Sequence, residues 1–207
     1  MLTSDLLIRI PALLLALTFH EVAHGLVAFR LGDPTAKYQG RLTLNPLAHL
    51  DPLGLLALWL FGFGWAKPVP VNPAYFRGDK QRGMFLVGLA GPATNFLMAF
   101  IVRLLTVSMP VFHAHPILLG ISEATFIYNI FLGVFNLLPV PPLDGSKVFA
   151  YLLPRSMSYI FGQLEQYGPL ILILLIVTGS LTRILLPMAA LAVNLTNTVV
   201  AVLTGGY

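Results

Sequence analysis

No cysteine occurs anywhere in the 207 residues, which excludes disulfides, thiolate metal sites and cysteine nucleophiles together. Charge is nearly as scarce. Only 10% of residues are Asp, Glu, Lys or Arg, against about 25% in an ordinary soluble domain. No basic run is long enough to form a nucleic-acid face, and the net charge of +4 is small. What fills the sequence instead is apolar, at 57% of residues. So few polar groups cannot cover a globule of this size, and the composition points to an integral membrane protein.

A spanning helix needs about 20 mostly apolar residues. Residues 6–30 qualify, closed by the helix-stopping cluster Gly32-Asp33-Pro34. Asp5 interrupts a signal-peptide layout in Met1 to Arg9, so this segment is expected to be retained as the first span. Residues 84–108 follow the charged stretch around Arg77, Asp79, Lys80 and Arg82, and residues 117–138 end at Pro139, Pro141 and Pro142. Residues 168–186 form a fourth span ending at Pro187, and residues 188–204 a shorter fifth. The stretch from Leu53 to Gly64 is apolar but too short to cross, as re-entrant or interfacial segments are. Tyr38 to Leu44 alternates in the manner of a short hairpin, although an ordinary loop fits it too. The expected fold is all-α: a polytopic membrane helix bundle of about five spanning helices plus a re-entrant or hairpin segment. Residues 1–207 are read as a single membrane-embedded domain, with no internal repeat and no linker.

Charge placement orients the spans. Lys37, Arg41, Lys67, Arg77, Lys80 and Arg82 flank residues 53–64 on both sides, whereas residues 109–116 carry only His113 and His115. Basic loops face the cytosol. Both can do so only if residues 53–64 dip in and return, which puts the ends of the first helix and of the 117–138 helix on the cytosolic side.

His20-Glu21-Val22-Ala23-His24 is an H-E-x-x-H pattern inside the first expected helix. Residues four apart differ by about 40° around a helix and about 6 Å along it, so both imidazoles can grip one ion. Zinc suits this pair, with nitrogen ligands at roughly 2 Å and one position left for water in a catalytic site. Glu21 can take a proton from that water. A chance match on a charged helix face is the alternative, but three ionisable residues mid-span are costly and mark function.

Two imidazoles do not complete a zinc site. His20 lies about 15 Å of helix rise before the end near Arg30, so the third ligand must reach the cytosolic half. Glu123, His113 and His115 fall near the outer face, Glu165 sits at a boundary, and Asp33 and His49 are further candidates. Asp144 follows the 117–138 helix in Asn136-Leu137-Leu138-Pro139-Val140-Pro141-Pro142-Leu143-Asp144-Gly145. Three prolines forbid continuous helix there, and an interrupted segment can turn a carboxylate back into the bilayer. Pro and Asp-Gly also suit a plain turn, yet the open ligand position at that depth favours Asp144, with Asp51 second.

These residues resemble the site-2 family of intramembrane zinc metalloproteases. His20-Glu21-x-x-His24 resembles its zinc helix, Leu143-Asp144-Gly145 its third-ligand motif, and Ala90-Gly91-Pro92-Ala93-Thr94-Asn95 a further element. Gly64-Trp65-Ala66-Lys67-Pro68-Val69-Pro70-Val71-Asn72-Pro73 looks like the short prokaryotic branch without a PDZ domain. The resemblance runs from about residue 18 to 150. It implies one zinc ion per chain and cleavage of transmembrane protein substrates within the lipid bilayer of a cell membrane, at an active site in the cytosolic half. It also implies that Asn95 positions substrate or stabilises the oxyanion. With no segment long enough for a PDZ module, control is expected from the membrane domain or from a separate regulatory partner. Two other classes remain open: an H-E-x-x-H membrane protease with a Glu third ligand, such as Glu123 or Glu165, and a zinc transporter or sensor without proteolysis. An exposed edge at residues 38–44 is expected to pair with an extended substrate, as in β-strand addition.

Overall fold

A run of apolar residues long enough to cross a bilayer has one way to satisfy its backbone in lipid, which is to close every hydrogen bond within a helix. A computed structural model of the chain describes residues 2–54, 56, 65–154 and 165–206. Among these, four helices are long and apolar enough to cross a membrane: Leu6–Arg30, Lys80–Ser108, Pro116–Asn136 and Ser180–Thr204. The fold is the helical membrane bundle expected from the sequence, with a shorter apolar helix, Gly168–Val177, beside the four.

Helix α1 (Leu2–Arg30) carries Pro11 within it. It stops where Gly32 takes φ +110°, a conformation open to a residue without Cβ. The chain then makes a helical turn, α2 (Thr35–Tyr38), and a 3₁₀ turn at Pro46–His49. An isolated antiparallel bridge joins Leu50 to Ala66, and non-helical chain leads to a second 3₁₀ turn at Pro73–Tyr75. Helix α3 (Lys80–Ser108) is capped by Asp79, whose carboxylate accepts from the Gln81 amide at 2.8 Å and the Arg82 amide at 3.3 Å. A short α4 (Pro110–Ala114) leads to α5 (Pro116–Asn136), α6 (Asp144–Leu152), α7 (Gly168–Val177) and α8 (Ser180–Thr204).

Helices α1, α3 and α5 pack mutually and form the centre, with α6 against α3 and α8 across α3 and α5. Ala12, Ala16, Gly88, Gly91, Ala99 and Gly133 are fully or nearly fully buried at these contacts, as close approach of spanning helices requires. Ala99, Phe126, Ile130, Val134, Leu138, Leu172 and Ala189 form the main apolar core. Outward, the helices present large apolar side chains, among them Val177 at 78% and Val202 at 77% exposure. A water-soluble surface does not carry such a continuous apolar coat, whereas a lipid-facing one does.

Two local expectations are replaced. The helix break in the last third falls at Gly179, with φ +68°, and not at Pro187, which lies within α8. The Thr178 hydroxyl bonds the Leu174 carbonyl at 2.8 Å where α7 ends. A proline inside a spanning helix is tolerated where neighbouring helices, side chains or a local adjustment of the helix satisfy the freed backbone groups. Helix α7, of 10 residues, is therefore only about 15 Å long, half a hydrocarbon thickness. Residues 38–44 form no hairpin. Gly40 at φ +65° turns the chain, the Arg41 amide bonds the Ala36 carbonyl at 2.8 Å, and the Arg41 guanidinium bonds the Lys67 carbonyl at 2.6 Å. Without a strand there, the substrate-pairing edge expected at 38–44 is absent. The expected re-entrant segment lies, for residues 55 and 57–64, outside the described residues.

Candidate metal centre

One helical turn of α1 places His20 and His24 on the same face, and that face meets α3 where α3 has glycine. A Cβ on Gly91 would lie 2.4 Å from His24 Nε2 and 2.5 Å from His20 Cε1, so only glycine leaves the two rings their room. Asp144 arrives from the other side. After Asn136 the proline stretch turns the chain, with the Leu143 amide bonding the Val140 carbonyl at 2.9 Å, and α6 begins at Asp144 itself. A Cβ on Gly145 would stand 2.3 Å from the Leu137 carbonyl oxygen, so a second glycine lets α6 start hard against the end of α5.

Three donor atoms converge in consequence. His20 Nε2 and His24 Nε2 are 2.9 Å apart, and Asp144 Oδ2 lies 3.1 Å from the first and 2.9 Å from the second. All three residues are buried. Each atom's partner state follows from what lies behind it. His24 Nδ1 faces the Val87 carbonyl at 2.7 Å, and a carbonyl only accepts, so Nδ1 carries the proton and Nε2 a lone pair. Asn95 donates from Nδ2 to the Ala16 carbonyl at 3.2 Å, which turns its Oδ1 toward His20 Nδ1 at 2.6 Å. His20 is thereby protonated at Nδ1 too. In these neutral tautomers both Nε2 lone pairs and the Asp144 carboxylate face one point, as the ligands of a bound cation do. Ligands about 2.0–2.1 Å from a tetrahedral zinc stand about 3.3 Å from one another, close to the separations seen. The donor set of two imidazoles and a carboxylate fits zinc.

The other Asp144 oxygen, Oδ1, is held by Lys147 Nζ at 3.0 Å, which leaves Oδ2 alone to face the imidazoles. Glu21 turns to the next face of α1, where its Oε2 accepts the Val69 amide at 2.7 Å. Val69 is carried by residues 65–72, and Asp33 moors this stretch: fully buried, it accepts the Asn72 amide at 2.6 Å and the Thr35 amide at 2.9 Å. A cavity of about 710 Å³ opens onto the group, lined by His20, Glu21, His24, Asp144 and Lys147 with apolar walls that include Val69, Val87, Leu132, Phe135 and Leu172. That volume suits a short run of polypeptide.

His20, His24 and Asp144 are the one such metal-capable group among the described residues. Asp51 instead caps a helical turn through the Leu53 and Gly54 amides, His49 bonds the Thr43 carbonyl, and Asp33 is the mooring just described. Glu123 pairs with Arg103 at 2.7 Å, Glu165 lines a separate pocket with Lys80 and Lys147, and His113 and His115 are exposed. No Glu reaches the imidazoles as a third ligand among the described residues. Asn95 is fully buried behind His20 and does not line the cavity. Sequence reasoning missed the Val69 amide, the Lys147 contact and Asn129, a fully buried amide in α5 that bonds Asn95. Only Asn129 left a signal, as a polar residue deep in an apolar span.

The profile described as "Peptidase family M50" matches residues 113–179, which include Asp144. The chain is 42% identical over 185 residues to "Putative zinc metalloprotease YwhC" of Bacillus subtilis, covering 85% of this chain and 83% of that protein. The chain belongs to peptidase family M50. The chain is also similar to "Putative zinc metalloprotease Rip2" of Mycolicibacterium smegmatis, 32% identical over 82% of this chain and 66% of that protein. "Putative zinc metalloprotease MJ0611" of Methanocaldococcus jannaschii is 32% identical over 64% of each. No solved structure matches this M50 chain. Zinc, the metal in the relatives' names, is one that the imidazole and carboxylate donors here suit.

Proposed function

We propose that this M50 chain is an intramembrane zinc metalloendopeptidase, with one zinc per chain held by His20, His24 and Asp144 and with Glu21 as general base. The observation that carries this reading is the meeting of two imidazole nitrogens and a carboxylate oxygen within 3.1 Å of one another beside a buried carboxylate, among helices long enough to span a bilayer. Bound zinc would supply Lewis acidity, lowering the pKa of a water toward about 7 and polarising a peptide carbonyl.

The chain's own residues do the rest. Glu21 takes a proton from the attacking water and delivers it to the leaving amine as the C–N bond breaks. The Val69 amide, 2.7 Å from Oε2, fixes the carboxylate's aim. Apolar walls of the cavity receive a stretch of substrate, which must be unwound because a helix hides its amides in internal hydrogen bonds. The non-helical residues 65–72 form one wall along which such a stretch can lie. The substrates are transmembrane segments of other membrane proteins, and any regulator is a separate partner. The basic residues Lys37, Arg41, Lys67, Arg77, Lys80 and Arg82 support a cytosolic location for the active site, since basic loops favour that side.

The test is incubation of the purified chain with a panel of membrane-helix substrates, with and without chelator, beside Glu21→Gln. Cleavage that stops with chelator, returns with zinc and is missing in the variant is expected. Cleavage by Glu21→Gln at the unaltered rate, or zinc flux into vesicles without any cleavage, would overturn the assignment.

A further inference from the structure

The three helices of the bundle centre meet in a line of amides that runs away from His20. Asn129 of α5 is fully buried and spends its Nδ2 on the Thr125 carbonyl one turn earlier, at 2.8 Å. Its Oδ1 is therefore left facing Asn95, whose Nδ2 donates to it at 2.8 Å, shorter than the 3.2 Å bond from the same Nδ2 to Ala16. Asn95 Oδ1 then faces His20 Nδ1 at 2.6 Å. Each link has one sense only. The Thr125 carbonyl can only accept, so Asn129 must present oxygen, so Asn95 must present oxygen to the ring.

We propose that Asn129 is a positioning residue for the metal centre: through Asn95 it fixes which nitrogen of His20 carries the proton and so turns the Nε2 lone pair toward the cation. The proposal rests on the reading of His20, His24 and Asp144 as zinc ligands. A buried amide in a spanning helix is costly, and the bland role for this one is helix-to-helix adhesion, which any acceptor-bearing pair meets in either sense. Adhesion does not require the ordered sequence of donors and acceptors found here, nor that it end on a ligand ring. If Asn129 is lost, the Asn95 amide keeps only its longer bond, to the Ala16 carbonyl, and that bond alone opposes a half turn of the amide. Its NH₂ would then face His20 Nδ1, and the ring proton would move to Nε2, where it blocks coordination.

The experiment compares zinc dissociation constants of the purified chain, Asn129→Leu, Asn129→Asp and His20→Ala by competition with a chromophoric chelator. Asn129→Leu keeps the volume and removes the acceptor, and is expected to weaken zinc binding about tenfold or more, as loss of an outer-shell partner does. Asn129→Asp keeps an oxygen toward Asn95 and is expected to recover most of that loss. Loss of zinc in His20→Ala together with unaltered affinity in Asn129→Leu would overturn the role of Asn129 and leave the metal site standing. Unaltered affinity in His20→Ala would overturn the metal site, and this proposal with it. If Asn129→Leu does not fold, Asn129→Ala takes its place, and the ¹⁵N histidine spectra of the zinc-free chains are compared. A His20 proton on Nδ1 in the unsubstituted chain that shifts toward Nε2 in the variant supports the proposal, and a proton on Nδ1 in both refutes it.

Discussion

Gly91→Ala is the substitution with the sharpest consequence for the metal centre, because it adds one methyl group where both imidazole rings lie against α3. The new Cβ would stand 2.4 Å from His24 Nε2, 2.5 Å from His20 Cε1 and 2.6 Å from His24 Cε1. Carbon and nitrogen atoms in good contact are about 3.5 Å apart, so the rings or helix α3 must give by about an ångström. Metal–ligand distances tolerate about 0.2 Å, and a misplacement of about 1 Å costs on the order of a hundredfold. The expected loss in zinc affinity is thus about a hundredfold, or about 2.7 kcal/mol. Helix propensity moves the other way, since alanine stabilises a helix interior by about 1 kcal/mol relative to glycine. Overpacking costs about 1–3 kcal/mol, so a fall in zinc affinity larger than the fall in thermal stability of the zinc-free chain is the signature. Gly120→Ala is the control: its Cβ would meet chiefly the flexible end of Ile8, at 2.7 Å, far from the metal site. Chelator competition on detergent-purified chains reads both. Wild-type zinc affinity in Gly91→Ala would refute the placement of the two rings.

Other outcomes follow from the same geometry. Glu21→Gln is expected to keep zinc by metal analysis while cleavage falls about 10²–10⁴-fold, the usual worth of a general base. Lys147→Met frees Asp144 Oδ1 from its 3.0 Å partner and is expected to weaken zinc binding about tenfold, read by the same competition. Asp33→Ala strips the Asn72 and Thr35 amides of a buried acceptor, at about 1–3 kcal/mol in thermal or denaturant stability. It also unmoors the stretch carrying Val69, so cleavage should fall further than zinc affinity does.

The zinc helix was legible because its chemistry is local. Helical spacing alone brings His20 and His24 onto one face, and an ionisable pair in an apolar span advertises itself. Asp144 could be reached by elimination, since prolines force a turn at a depth where a ligand was needed. Asn95 is reached through the family resemblance, but its direction depends on how α1 and α5 pack against α3, which no local pattern encodes. The Val69 amide and the Asp33 mooring are backbone contacts between distant segments, and the residues that make them look like ordinary loop. Pro187 misled for a physical reason: in lipid a proline need not end a helix, whereas Gly179, with its positive φ, did. The alternation of Tyr38 to Leu44 is too short to specify pairing against a turn at Gly40.

Zinc-edge X-ray absorption on the purified chain, beside Asp144→Ala, measures the central claim most directly. Two imidazole nitrogens and carboxylate oxygen at about 2.0–2.1 Å are expected, one zinc per chain, with metal content collapsing in the variant. A zinc shell without imidazole, or one unaltered when Asp144 is removed, would contradict the account.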